Sequence, residues 1–202
     1  MISIADVLSR QYAALNATGA ADLVFWLETD FYEWASEALR HLATLAPLFI
    51  DRDTTITIQA GVPVYTNPAR HITLLHVAVA GESLSPSSTR ELAALSSTWL
   101  TDTGAPEQWI ADWLGEANVR VYPTPTTTGA ALQIVLSRFP GDVTVGAPTV
   151  SAPAIVGDYV GLRILAEARR KEGDGALPEI AAHLDQRCAL LEQAYQHYWG
   201  TA

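Results

Sequence analysis

The sequence predicts an α+β fold in which N- and C-terminal helices form a helical bundle around an inserted antiparallel β-rich region. Three observations carry this. Apolar residues recur at helical spacing towards both ends of the chain, they alternate at period two in the middle, and Gly, Pro and Asn punctuate the middle segments. Outer helices that must pack on one another around an inserted sheet fit that class. The predicted limits are 1–52 together with 148–202 for the helical bundle domain, and 53–147 for the inserted β-rich domain.

The first helix is predicted over residues 3–17. Ser3 and Asp6 stand at capping-box spacing, and Ile4, Val7, Leu8, Tyr12 and Leu15 lie on one face. The apolar segment 20–27 fits either state. Asp30 and Glu33 signal the start of a second helix over 31–46, where Phe31, Trp34, Ala35, Ala38, Leu39 and Leu42 recur at i, i+3 and i+4 spacing until Pro47 stops it.

The middle changes period. Thr54 to Ala60 alternates, and Gly61 to Asn67 supplies turn chemistry. Further strands are predicted at 72–80, 108–113, 119–122 and 130–139, with a tight turn at Gly81. A short helix at Thr89 to Leu95 carries Ser88 and Glu91 as its capping box. Residues 141–153 read as a linker because Gly and Pro interrupt them.

A third helix runs from Pro153 to about Lys171. Gly157 and Gly161 each cost it roughly 1 kcal/mol relative to Ala, and their spacing permits close approach by another backbone. Gly173-Asp174-Gly175 breaks it. The fourth helix begins with Pro178 in its first turn and reaches Trp199. Its predicted face is Ile180, Leu184, Cys188, Leu191, Tyr195 and Tyr198, close to a heptad seam.

Composition excludes several classes of function. The 202 residues are 49% hydrophobic and 17% charged, too apolar for disorder, yet no run approaches the roughly 18 apolar residues of a membrane span. Asp6 stands where an export signal carries Lys or Arg, so no signal is predicted and synthesis in a reducing bacterial cytoplasm is expected. One cysteine, Cys188, allows no intrachain disulfide. Twelve Lys and Arg against 22 Asp and Glu give a net charge of −10, which argues against a duplex-binding footprint. The densest basic run, Arg169-Arg170-Lys171, complements a helix C-terminus.

No catalytic constellation emerges. His71 and His76 point to opposite faces of a predicted strand, and His183 and His197 stand about 21 Å apart along a helix. With His41 they make no metal spacing. Asp51-Arg52-Asp53 lacks the glycine and distant glutamate of a calcium loop and reads as a charged junction between helix and insert. Glu33 and Glu37, one turn apart, are the nearest thing to a carboxylate pair. Cys188 lies in an apolar seam, where a thiol behaves as a small hydrophobe. No P-loop, G-x-G-x-x-G or G-x-S-x-G is present. No catalytic, metal or cofactor-binding residue is therefore predicted. Six Trp and seven Tyr ask for an explanation, and each ring fits either an interface or the core. Tyr195, Tyr198 and Trp199 form the predicted interface cluster.

Read in order, several segments resemble the phage head-to-tail adaptor (connector, or neck) family. They are Phe31-Tyr32-Glu33-Trp34-Ala35-Ser36-Glu37-Ala38-Leu39-Arg40, Gly81-Glu82-Ser83-Leu84-Ser85-Pro86, and the Glu91-Leu92 helix running into Trp99. Gly104-Ala105-Pro106 and Val119-Arg120-Val121-Tyr122-Pro123-Thr124-Pro125 follow, then Ala131-Leu132-Gln133-Ile134 and two terminal helices. The chain departs from the family pattern at Ala154-Ile155-Val156-Gly157-Asp158-Tyr159, where acids usually open the third helix.

The resemblance implies a structural virion protein and no enzyme. It implies a homo-oligomeric ring, usually a dodecamer, at the neck of the virion, bound to the portal protein. A downstream tail, nozzle or tail-completion protein would sit below, and viral DNA would pass through the lumen without sequence-specific binding. The Tyr195, Tyr198 and Trp199 cluster would then meet the portal or a neighbouring subunit. Two other readings stay open: another neck or tail-completion protein, and a hydrolase with an acidic cleft.

Overall fold

The computed structural model describes residues 1–15, 26–66, 71–114, 118–171 and 177–199. The end of the first predicted helix at 16–17, most of the apolar segment 20–27, Asn67 and the Gly173-Asp174-Gly175 break lie outside the described residues.

From the N-terminus come strand β1 (Ile2–Ser3), helix α1 (Ile4–Tyr12), a 3-10 turn (Ala13–Leu15) and helix α2 (Glu28–Leu45). Then come β2 (Ile50–Thr57), β3 (Val64–Thr66), β4 (Thr73–Val79), β5 (Glu82–Ser83) and β6 (Ser85–Pro86). Helix α3 (Thr89–Leu95) leads to β7 (Thr103–Gly104), β8 (Gln108–Ala111), β9 (Asn118–Tyr122), β10 (Thr124–Pro125) and β11 (Ala131–Ser137). Strand β12 (Thr149–Val150) and helices α4 (Ile155–Arg170) and α5 (Pro178–Trp199) follow. The fold is α+β, with helices towards both ends and mainly antiparallel sheets between them. Two compact units result, Met1–Phe49 with Phe139–Ala202, and Ile50–Arg138.

In the helical unit α4 is central and packs against α1, α2 and α5. Such a helix must be apolar on several sides, and Val156, Tyr159, Val160, Ile164, Ala166 and Ala168 are all buried. Its two glycines face α1. A Cβ on Gly157 would stand 3.1 Å from Ile2 and 3.4 Å from Val7, and one on Gly161 2.7 Å from Gln11, so the spacing lets α1 side chains settle on α4. Ser3 caps α1 by accepting the Asp6 N–H at 3.2 Å.

Helix α2 starts at Glu28, three residues before the predicted start. Asp30, in the first turn, reaches back to accept the N–H of the N-cap residue Leu27 at 3.0 Å, and Glu33 has no part in this cap. Tyr32 and Ser36 join the buried face, while Trp34 is only half-buried beneath the Lys171 ammonium, 5.9 Å from its ring.

The stretch predicted as a linker is packed backbone. Ile2 pairs with Val150 and Ser3 with Thr149, and the Val143 N–H donates to the Ser36 hydroxyl at 3.1 Å. The predicted α5 face also needs correction. Ala181, Leu184, Cys188 and Tyr195 are buried, whereas Ile180 and Tyr198 are 45% and 76% exposed. With 3.6 residues per turn the inward stripe drifts off a strict heptad over a helix of this length.

The insert holds two four-stranded sheets, ordered β2-β11-β4-β5 and β3-β9-β8-β6, and a short parallel pair of β10 with β7. Central β11 runs antiparallel to both β2 and β4, and its Leu132, Ile134 and Leu136 alternate inwards. They meet Leu74, Val77, Trp109, Val119 and Val121 in one core shared by the two sheets. Ala80 and Gly81, both at positive φ, form the two-residue turn between β4 and β5. Strand β2 begins at Ile50, so Asp51-Arg52-Asp53 is edge strand and not a junction. Asp51 pairs with Arg138 and Arg52 donates to Gln133, and charges of this kind keep an exposed edge from pairing with other chains.

A second small core explains part of the aromatic excess. Leu92, Trp99, Ile110 and Tyr122 cluster with Trp113, and the Arg120 guanidinium lies 5.0 Å and 5.1 Å from the Trp99 and Trp113 rings. Arg120 is 5% exposed, donates to the Leu100 carbonyl at 3.1 Å, and has its pKa drawn down by burial.

Candidate interaction site

The aromatic end of α5 is built on a buried footing. Tyr195 is 1% exposed, its ring edge meets Tyr159 at 6.2 Å, and its hydroxyl donates to the Ile155 carbonyl at 3.0 Å. Burial, reinforced by the Asp158 charge, pushes that hydroxyl's pKa up to about 12. Tyr159, fully buried, donates to Glu192 at 2.6 Å, and burial followed by that hydrogen bond raises its pKa as well.

Trp199 stacks on Tyr195 at 5.6 Å and Tyr198 reaches solvent beside it, 6.3 Å from Trp199. Together with Ile155, Leu191 and Ala194 these rings line an apolar hollow of about 390 Å³. Of the three predicted interface residues, then, Tyr195 lies inside the unit while Tyr198 and Trp199 are at its surface. Ile155 was not singled out by sequence reasoning, although it is an apolar residue just after a proline-interrupted stretch.

A larger groove, about 620 Å³, runs between α2 and residues 142–146. Its floor is Tyr32, Ser36 and Val143, its outer wall is Val145 and Gly146, and Glu33 and Glu37 stand on its rim. Arg40 and Asp142 close one end with an ion pair. The Ser36 hydroxyl is already used, donating to the Tyr32 carbonyl at 2.9 Å, so the floor presents mainly apolar surface. Sequence reasoning missed the 142–146 wall, for which the alternating Val143 and Val145 were the available signal.

A family model described as SU10 adaptor protein matches residues 4–200 of the chain. The chain belongs to this family of phage adaptor proteins. No curated protein matches it. The match takes in both compact units of the adaptor, and its role is structural.

The titratable residues of the adaptor are spread over separate places. His41 lies 3.3 Å from Glu192, and His71, with its side chain 3% exposed, lies 3.3 Å from Asp112. His76 is exposed on β4, and His183 and His197 are exposed on α5. Among the described residues no three His, Cys, Asp or Glu side chains gather as a metal would need. Cys188 is buried and burial pushes its thiol pKa up to about 11, which keeps it a neutral core side chain. Arg170 reaches Glu167 and Asp185, and Lys171 pairs with Asp30 across to α2, so the basic run joins helices as well as ending one. No described helix is long and apolar enough to cross a membrane.

Proposed function

We propose that this adaptor assembles as a homo-oligomeric ring of twelve copies in the virion neck, where it joins the portal to the tail and continues the DNA channel. The observation that carries the reading is the family match over residues 4–200, which spans the helical unit and the insert together. The helical domain packs side by side with its neighbours, and the β-rich insert faces neighbouring copies or a downstream tail, nozzle or tail-completion protein. A net charge of −10 per copy supports a lumen through which DNA slides, because like charge repels phosphate.

In this reading Tyr198 and Trp199 meet the portal or a neighbouring subunit, and Tyr195 holds them in place from inside. Tyr198, 76% exposed beside an apolar hollow, supports it. Because Tyr195 is core, truncation before it would damage the fold, so the clean variant is Tyr198→Ser with Trp199→Ser.

Imaging of the purified adaptor mixed with its portal tests the proposal. A ring on the tail-ward face of the portal is expected, with the double variant failing to join it. Density at the far end of the tail, or a lone subunit bound to another tail part, would replace this reading with that of a tail-completion protein.

A further inference from the structure

Helix α5 carries two stripes with different fates. Ala181, Leu184, Cys188 and Tyr195 face the core. About a third of a turn round the helix, Ile180, His183, Arg187, Leu190, Ala194 and Tyr198 form a second row at spacings of three and four. Ile180, Leu190 and Tyr198 in that row are 45%, 65% and 76% exposed. The remaining side holds Ala182, Gln186, Ala189, Gln193 and Gln196, the small and neutral polar residues of a solvated surface. Large apolar and basic side chains are thus collected on a face that the chain's own core does not use.

The α2 groove has the opposite character. Its floor and wall offer Tyr32, Val143 and Val145, the last 53% exposed, and its rim offers Glu33 and Glu37. Neither glutamate, nor Arg187, forms an ion pair with another described residue. What the groove leaves unmet is apolar surface under two negative charges, and the α5 stripe presents apolar surface beside Arg187.

We infer that the outward stripe of α5 on one copy seats in the α2 groove of the next copy, so that neighbours join through two different surfaces. The inference rests on the ring reading above and names the contact that builds the ring. Two unlike patches on one chain make a heterologous contact, the kind that builds a ring when the rotation between neighbours closes and a filament when it does not, whereas a two-fold dimer must use one patch twice. Leu190 and Tyr198 bring the apolar area, and the Arg187 charge against Glu33 and Glu37 sets direction and register.

Two variants test this in the full-length chain. The stripe variant carries Arg187→Ser and Leu190→Ser, which remove its charge and its apolar area, and the groove variant carries Glu33→Arg and Glu37→Arg, which repel an unaltered stripe. All four positions are exposed, so circular dichroism is expected to match the unaltered protein. Native mass spectrometry and negative-stain imaging, alone and with purified portal, then read assembly. Each variant by itself is expected to stay monomeric, its association weakened at least about tenfold.

Mixed together, the two variants retain one good junction, the groove variant's stripe in the stripe variant's groove. They should form a one-to-one dimer and nothing larger. Rings from either variant, or no dimer from the folded mixture, overturn the inference while the ring stands. An unaltered protein that never rings, with or without portal, overturns the ring reading and the inference together. Should a charge reversal unfold the chain, the milder Arg187→Gln with Leu190→Ser and Glu33→Gln with Glu37→Gln are mixed in the same way. They are expected to show the same one-to-one limit, and rings from the mixture count against it.

Discussion

Arg120 is the residue whose environment most restricts what can replace it. Its charge has no carboxylate partner among the described residues and rests on two indole faces and one carbonyl. A lysine keeps the charge but loses the plane that stacks, and a methionine keeps the stem but loses both. Both Arg120→Lys and Arg120→Met are expected to lower insert stability by about 1–3 kcal/mol, read from denaturant midpoints followed by tryptophan emission. Full rescue by lysine would mean that charge alone matters there. Asp30 gives a pH-dependent counterpart. The Lys171 hydrogen bond, helped by the Leu27 N–H, holds its pKa below the ordinary carboxylate value against the opposing pull of burial. A depressed folded-state value means that the stabilisation is complete above about pH 4 and is lost as the pH falls through the folded value. Asp30→Asn is therefore expected to flatten the acid limb of a plot of Tm against pH. An unchanged acid limb would show that the Asp30–Lys171 pair contributes nothing to it.

Among the elements, the two glycines of α4 divide by what they touch. A methyl on Gly161 meets the far end of the Gln11 side chain, which can swing away, and the helix gains up to about 1 kcal/mol from Ala in place of Gly. On Gly157 it meets Ile2 and Val7, both β-branched and stiff, with Ile2 fixed by its pairing with Val150. Gly161→Ala is expected to keep or raise the Tm, and Gly157→Ala to lower it; the reverse order would mean that α1 shifts as a body. What the sequence discloses about an element depends on how far away its determinants lie. The Ser88 and Glu91 capping box sits within four residues, and α3 runs over the predicted Thr89 to Leu95. Residues 142–146 hide their role, because Val143 finds its partner in Ser36, 107 positions away, behind a run of Gly and Pro. Along α5 the presence of a seam was legible, but its exact side was not. A hydrophobic period near 3.5 cannot say which neighbouring row turns inwards over 22 residues, and so the predicted seam takes in Tyr198 and leaves out Ala181.

At the scale of the whole molecule, the two units are stabilised by separate cores. Leu39 is fully buried in the helical unit and Leu132 in the insert. Removing either side chain to alanine should cost about 2–5 kcal/mol, the range for a leucine lost from a packed interior. Hydrogen exchange under native conditions is expected to show Leu39→Ala loosening the helix amides first and Leu132→Ala the strand amides first. Uniform loosening from both variants would mean that the chain opens as one cooperative body.

The tryptophans are divided in the same way. Trp99, Trp109 and Trp113 belong to the insert, and Trp26, Trp34 and Trp199 to the helical unit. A fixed guanidinium against two indoles shifts their excited-state energies, so this pair will differ in colour from the rest. Phenylalanine at either trio would leave a chain whose remaining fluorescence reports on one half alone, a built-in optical label for following each half during assembly.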